Sequence, residues 1–126
     1  MSREQHSDTQ RSPAMEISNT VVHLMKEHTG KGPPKCRTYV QDELVTVLMR
    51  GGFSQVEQTL FEAGKWIDVR SGRQDVQDTL AARFIEAIEK ILVRKVIAFM
   101  SASHQDPDLQ VELFLLEPHP EDGLLA

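Results

Sequence analysis

KCRTYVQDELVTVLMRGGFSQVE, residues 35–57, is the stretch of sequence that decides the fold. It contains two strand patterns, 36–40 and 44–50, and the polar connection between them is so short that the strands must form an antiparallel hairpin. A Gly-Gly pair ends the hairpin. Ser54 and Glu57 then match a capping box, in which each side chain accepts a hydrogen bond from the other residue's backbone N–H at the start of a helix. The stretch therefore predicts a β-hairpin that leads directly into a helix.

An amphipathic helix is predicted before this hairpin. Ser12 can cap its first turn, Pro13 suits its first position, and Gly30 is a natural end. Apolar residues recur at helical spacing between these signals, which gives the helix one side suited to burial. That side consists of Ile17, Val21, Leu24, Met25 and His28.

A second helical pattern, the longest in the chain, is predicted from Arg73 to about Arg94. Gly72 weakens a helix before this point, so the pattern favours no single structure for residues 65–72. The buried side of the long helix would consist of Val76, Leu80, Phe84, Ala87, Ile88 and Ile91.

Two strands are predicted near the end of the chain. The continuous apolar run VIAFM, within residues 96–103, predicts a strand that is covered on both faces. In residues 109–116 apolar and polar side chains alternate, which favours a core face and a solvent face. The predicted core face is Leu109, Val111, Leu113 and Leu115, and the predicted solvent face begins with Gln110 and Glu112.

The element order α-β-β-α-α-β-β predicts an α+β fold. Its two layers would be a four-stranded, mainly antiparallel sheet and a set of helices on one face. We expect a single domain over residues 13–118, a disordered arm over 1–12 and a flexible acidic tail over 119–126. The unusually apolar last hairpin indicates that a second subunit covers the other face of the sheet, so a homodimer is expected.

Composition favours a soluble cytoplasmic protein that neither binds nucleic acid nor enters a membrane. The 126 residues carry a formal net charge of -5, whereas nucleic-acid-binding proteins usually present a basic face. The single cysteine excludes a disulfide within the chain, which fits a reducing compartment. No apolar run approaches the ~20 residues of a membrane-spanning helix, so contact with a membrane would require a partner protein.

Three cations around the first strand form a candidate anion site. Lys31, Lys35 and Arg37 lie in the segment GKGPPKCR without an acidic neighbour, an arrangement suited to phosphate, to bicarbonate or to an acidic protein surface. The alternative is a solvated connecting loop. Further cations that would enlarge such a patch, or else form a solvated helix face, are Arg70, Arg73 and Arg83.

Four large side chains are candidates for contact with a partner protein. Trp66 is the only tryptophan and stands in a polar connection, and Tyr39 lies in the first strand. Phe114 and Leu116 interrupt the polar face of the last strand, which indicates that part of this face is covered as well.

Catalytic and metal-binding alternatives are weak in this sequence. His104, Asp106 and Asp108 place three potential metal ligands in one turn, but Asp and Pro are also ordinary turn residues. Cys36 stands between Lys35 and Arg37, which would favour a reactive thiolate, yet no spacing supplies the base that a nucleophile needs. We therefore expect no catalytic residue and no cofactor, and an enzyme is the last of the alternatives.

An ordered set of motifs resembles the small bacterial MpsC-like family. The motifs are Gly30-x-Gly32-Pro33, Arg37-Thr38-Tyr39, Asp42 before the second strand, Glu57, Val96-x-Ala98-Phe99, Asp106-Pro107-Asp108 and Val111-Glu112-x-Phe114. The resemblance implies a soluble accessory or regulatory subunit of a bacterial system that moves sodium and generates membrane potential, with a link to inorganic-carbon uptake. It supplies no catalytic residues to transfer.

Overall fold

The computed structural model describes residues 12–118, so the predicted tail, and the predicted arm apart from Ser12, lie outside the described residues. The elements are α1 (Pro13–Thr29), β1 (Lys35–Gln41), β2 (Leu44–Arg50), α2 (Gln55–Glu62), α3 (Trp66–Leu92), β3 (Val96–Gln105) and β4 (Asp108–Leu116). The predicted order and the α+β class are confirmed.

Local capping signals set the helix ends where the sequence predicted them. The backbone N–H of Met15 donates to the Ser12 hydroxyl at 3.1 Å, and Gly30 ends α1 with a positive φ. At α2 both bonds of the capping box form, from the N–H of Ser54 to the Glu57 carboxylate at 2.9 Å and from the N–H of Glu57 to the Ser54 hydroxyl at 3.1 Å. These ends therefore depend on adjacent residues alone.

Helix α3 is longer than predicted, because it begins at Trp66 rather than at Arg73. Gly72 lies inside the helix, where glycine costs about 1 kcal/mol relative to alanine. Burial of Val69 and Arg73 on either side of Gly72 offsets this cost. Tertiary packing has thus overridden the local signal.

The sheet has the strand order β1-β2-β4-β3, and all three strand pairs are antiparallel. Two hairpins meet at its centre, where β2 pairs with β4 so that Leu44 lies opposite Leu115. In β3 a register irregularity lies between Val96 and Ala98. The predicted four-stranded sheet is confirmed.

The hydrophobic core lies between one face of the sheet and the helices. Predicted buried residues of α1 and α3 do contribute to it, although His28 is exposed. Its members are Ile17, Val21, Leu24, Met25, Val45, Val47, Met49, Leu80, Phe84, Ile88, Val96, Phe114 and Leu116.

The predicted orientation of β4 is wrong. Gln110, Glu112, Phe114 and Leu116 face the helices and are buried, whereas the apolar row that begins at Leu109 faces away from them. The polar half of the inward row is accommodated because α3 presents its own buried polar residues, Arg73 and Gln77, to this part of the sheet. Polar side chains therefore pair with polar side chains inside the core.

The prediction that β3 is covered on both faces is also wrong for the single chain. Ile97 and Met100 are 52% and 60% exposed, and Ala98 is exposed as well. The helices cover only the opposite side of this strand, where Val96 and Phe99 pack on the core. One face of the sheet is thus open.

Replacing Gly51 with alanine is expected to destabilise the fold by about 1–3 kcal/mol, the range for a non-glycine residue held in a strained backbone conformation. Gly51 has a φ of +77°, and an added Cβ would lie 2.8 Å from Cγ of Pro34. Gly72→Ala is the matched control, because its Cβ would meet nothing within 4 Å and helix propensity favours alanine. Urea denaturation should show opposite signs for the two variants; equal effects would contradict the prediction.

Candidate functional site

The exposed side of the sheet, which we call the open face, is mainly apolar. It consists of the strand positions that alternate with the buried ones, and strand pairing brings them into continuous rows across the sheet. Tyr39 is 48% exposed on this face, as the predicted partner surface requires. The apolar positions of the open face are Leu44, Leu48, Ala98, Met100, Ala102, Leu109, Val111, Leu113 and Leu115.

Three cations stand together at one end of the open face, and we call them the cationic corner: Lys35, Arg37 and Arg50. Lys35 pairs directly with Arg50, and the three line one shallow depression with Tyr39. Among the strand residues that the structure describes, no carboxylate lies on this face. The corner therefore presents an unneutralised positive charge in a protein whose net charge is negative.

Lys31 does not join the cationic corner. Its ammonium group donates to the carbonyl of Phe53 at 3.0 Å, and the residue lines a different cavity. Arg50 takes its place, although the sequence prediction did not include it. The structure extends β1 to Gln41, and the resulting two-residue turn fixes a register in which Lys35 lies opposite Arg50. The predicted strands, 36–40 and 44–50, leave three residues between them and do not give this register.

A second cavity, of about 330 Å³, lies between α1, α2 and α3 on the helix side. Its apolar walls include Met25, Leu60, Val69 and Val76. Near the same end of the molecule, at the start of α3, Trp66 and Ile67 are 48% and 59% exposed. Trp66 thus lies at a surface, as the predicted partner contact requires, but on the helix side.

Phe114 and Leu116 do not lie on any surface. Both side chains are 0% exposed, because they belong to the inward row of β4 and pack beneath the helices. Phe114 contacts Phe99 with ring centroids 5.1 Å apart. The prediction that Phe114 and Leu116 contact a partner protein is therefore wrong, and both belong to the core.

Arg73 is the centre of a buried ionic cluster rather than part of a cationic patch. Its guanidinium group is bonded to the carboxylates of Glu57, at 3.1 Å, and Asp108. It also lies over the Phe53 ring, 4.4 Å from the centroid. Burial alone would lower the pKa of Arg73, but hydrogen bonds to Asp108 and Glu57 and their negative charges raise it above its ordinary value. The cluster joins α2, α3 and β4.

The turn that holds His104, Asp106 and Asp108 is not arranged around a metal. Asp108 uses its carboxylate for Arg73 and for the N–H of Phe53, at 2.9 Å. The ring nitrogen Nδ1 of His104 lies 2.9 Å from the carbonyl of Pro107, within the turn itself. Among residues 12–118 no group of three or more His, Cys, Asp or Glu side chains is placed to hold a metal ion.

Glu112 is a buried acid in the middle of the sheet. Its Oε2 accepts a hydrogen bond from the Gln77 amide at 2.7 Å, whereas its Oε1 is buried without a partner in the described part of the chain. Burial raises the pKa of Glu112 from 4.5 to about 8; the Gln77 bond opposes this rise, and the charge of Asp78 adds to it. Glu112 is therefore largely protonated at neutral pH.

Cys36 is half-buried, on the side of β1 that faces the helices. Strand alternation directs Lys35 and Arg37 to the open face and Cys36 to the helix side, where it packs against the core. Burial raises the pKa of the Cys36 thiol, a hydrogen bond with Ser18 opposes the rise, and the charge of Glu112 adds to it. The flanking cations thus do not activate the thiol.

Comparison with known proteins gives one match that spans most of the chain. Residues 9–118 match the family described as Na+-translocating membrane potential-generating system (MpsC). The chain belongs to the MpsC family. No curated protein and no solved structure has significant similarity to it. Within residues 12–118, no helix of this MpsC-family protein combines the length and the apolar character needed to cross a membrane.

Proposed function

We propose that this MpsC-family protein is a non-catalytic accessory or regulatory component associated with the Na+-translocating system. It acts in the cytoplasm as a homodimer and reaches the membrane only through a partner protein. The observation that carries the proposal is the exposed apolar surface on both sides of the molecule, the open face on one side and the Trp66–Ile67 corner on the other.

The distribution of polar groups supports a binding role. The buried charged side chains bond to other residues inside the fold. Arg73 bonds to Glu57 and Asp108, and Glu112 accepts a hydrogen bond from Gln77. They hold α2, α3 and β4 together. The exposed apolar side chains, in contrast, have no such structural partner, and large exposed apolar patches commonly mark protein–protein contacts.

The helix side is the surface we assign to the membrane system. Trp66 and Ile67 lie in the first turn of α3, beside the turn between β3 and β4, because the Trp66 carbonyl accepts a bond from Gln105 at 2.7 Å. An aromatic and a branched aliphatic side chain on a rigid helix end suit the buried centre of a protein contact. This surface stays free when a second copy occupies the open face.

Co-purification from native membranes tests the proposed function. The tagged full chain, expressed in a bacterium that naturally makes it, should be recovered with membrane proteins after mild detergent extraction. Ile67→Lys should abolish this recovery, whereas Val93→Lys, which alters an even more exposed apolar residue beyond the other end of α3, should not. Recovery of the parent protein in the soluble fraction alone would overturn the proposal.

The cationic corner favours a second candidate function, the sensing of a small anion. Lys35, Arg37 and Arg50 converge without a carboxylate in the same depression. Phosphate or bicarbonate at a hundredfold excess over its Kd should stabilise the fold by about 2.7 kcal/mol. Thermal-shift measurements should lose this effect when Arg37 and Arg50 are both replaced by alanine and keep it in Lys31→Ala. No shift with either anion would eliminate this candidate.

A further inference from the structure

We infer that a second copy of this chain covers the open face, so that two sheets pack face to face and the helices lie outermost. This rests on the homodimer of the proposed function and names the surface and symmetry through which it forms. Four features carry it: the apolar centre of the open face, the charges at its corners, the symmetry that these charges select, and its size.

The centre of the open face has the composition of a buried sheet surface. An antiparallel sheet with helices on one side normally presents polar side chains on the other. Here the outward row of the central strand β4 is entirely apolar, from Leu109 to Leu115, and its neighbours across the strands include Leu48 and Met100. A second sheet about 10 Å away would bury these side chains by interdigitation.

Charges at the two ends of the first hairpin have opposite signs. The cationic corner occupies the end where β1 begins and β2 finishes. Asp42 and Glu43 form the turn at the other end, and both are exposed.

The second hairpin has the reverse arrangement. Its turn, with the exposed Asp106, lies at the end of the cationic corner, because Arg50 pairs with Leu109. At the opposite end Arg94 and the exposed Lys95 outnumber Glu117. Arg94 lies between the two hairpins, where it donates to the carbonyls of Asp42 at 3.1 Å and Glu117 at 2.9 Å. The signs of the four corners therefore alternate around the face.

Alternating corners make the open face complementary to itself. A two-fold axis in the plane between the sheets and perpendicular to the strands places each strand over its own copy with reversed direction. Each cationic corner then lies over Asp42 and Glu43 of the other copy, and this contact occurs twice. Sheets packed in this way keep their strands roughly aligned, the common arrangement in sandwiches. An axis parallel to the strands would also join unlike corners, but it would place the three cations over Asp106 alone instead of over two carboxylates. An orthogonal arrangement would place corners of like sign together, which costs free energy.

The size of the open face is adequate for such a contact. Four strands ~4.8 Å apart and about seven residues long at ~3.4 Å each give a flat footprint of roughly 450 Å² per copy. Side chains that stand out from the sheet enlarge the accessible area, which brings it towards the ~800 Å² per partner of a standard interface. The open face is therefore large enough for a stable dimer.

Sedimentation of the full chain tests the inference directly. The parent protein should sediment as a dimer. Met100→Lys, which places a charge on the open face beside Leu113 of the central strand β4, should raise the dissociation constant by on the order of a hundredfold. Val56→Lys is the matched control, because it alters an exposed apolar residue on the helix side and should leave the dimer intact. Circular dichroism of each variant checks that it is folded.

Charge exchange tests the symmetry. Arg50→Glu and Glu43→Lys should each weaken self-association about tenfold, since two like-charged contacts then form in every homodimer. An equimolar mixture of the two variants should restore dimerisation, because both contacts of the mixed dimer again join opposite charges. Failure of the mixture to dimerise more tightly than either variant alone would overturn the proposed axis.

The outcomes separate this inference from the proposed function. A full chain that stays monomeric even at about 1 mM would overturn the interface and point to residues 119–126 or to another protein as the occupant of the open face. A dimer that Met100→Lys leaves intact would place the contact elsewhere and would also overturn it. Membrane co-purification addresses the accessory role independently, because it depends on the helix side.

Discussion

Replacing Arg73 with methionine is expected to lower the free energy of unfolding by about 3–5 kcal/mol, the usual effect of removing one partner from a buried ion pair. Arg73 is only 3% exposed, and its guanidinium group neutralises both Glu57 and Asp108. Without it, two carboxylates would face each other across a partly buried space. Methionine fills a similar volume, so the loss would report the charges rather than a cavity.

Two further variants define the cause of the expected loss. Arg73→Lys keeps the charge but not the planar group that bonds Glu57 and Asp108 together, and it should recover part of the stability. Arg70→Met, on the exposed side of the same helix, should change stability by less than about 0.5 kcal/mol. Guanidinium chloride denaturation of all three variants measures the differences. Equal stability of Arg73→Met and Arg70→Met would show that the cluster contributes nothing.

The buried cluster of Arg73, Glu57 and Asp108 also illustrates which parts of the fold can be predicted from the sequence. Strands β1 and β2, the ends of α1 and the capping box of α2 depend on residues close in sequence, so their signals can be recognised without tertiary information. The buried role of Arg73 depends on Asp108, which is 35 positions away. Charge alone made Arg73 resemble a solvated helix residue, because no local pattern shows that β4 lies beneath it.

The orientation of β4 illustrates the same limit. Its two faces are both partly apolar, and the usual alternation rule assigns Gln110 and Glu112 to solvent. The core instead accepts them, because the inward stripe of α3 is polar at the corresponding end, where Gln77 bonds Glu112. The available signal for a polar stripe was the four-residue spacing that places Val69, Arg73 and Gln77 on one side of α3. It becomes interpretable only when the pairing of β2 with β4 is known.

Of the candidate site residues, those placed by strand alternation could be predicted from the sequence. Lys35 and Arg37 lie on the open face, as strand alternation requires, and the two-residue turn brings Arg50 opposite Lys35. Lys31 belongs to a loop, so no periodicity fixed its direction, and it contacts Phe53 on the helix side. The positions of the strand residues could thus be predicted from the sequence, whereas the position of the loop residue Lys31 could not.

Replacing Glu112 with glutamine is expected to remove a pH-dependent loss of stability. Burial raises the pKa of Glu112 from 4.5 to about 8 in the folded chain, so the folded state binds more protons than the unfolded state between these values. The contribution of Glu112 to stability is fully present below pH 4.5 and is lost as the pH rises through about 8. Within this window the loss approaches ~1.4 kcal/mol per pH unit.

Glu112→Gln keeps the size of the side chain and an acceptor for the Gln77 amide, but it cannot ionise. Its stability relative to the parent protein should therefore be nearly unchanged at about pH 4 and higher by a few kcal/mol at about pH 9, where the parent must hold a buried charge. Denaturant titrations of both proteins at several pH values give this difference directly, because contributions from other groups cancel. Glu86→Gln, which alters an exposed acid of α3, is the matched control and should parallel the parent. If the free energy of unfolding of Glu112→Gln and of the parent had the same pH dependence, Glu112 would be hydrated in the folded state. The buried Gln77–Glu112 pair would then not make the stability of the protein sensitive to pH.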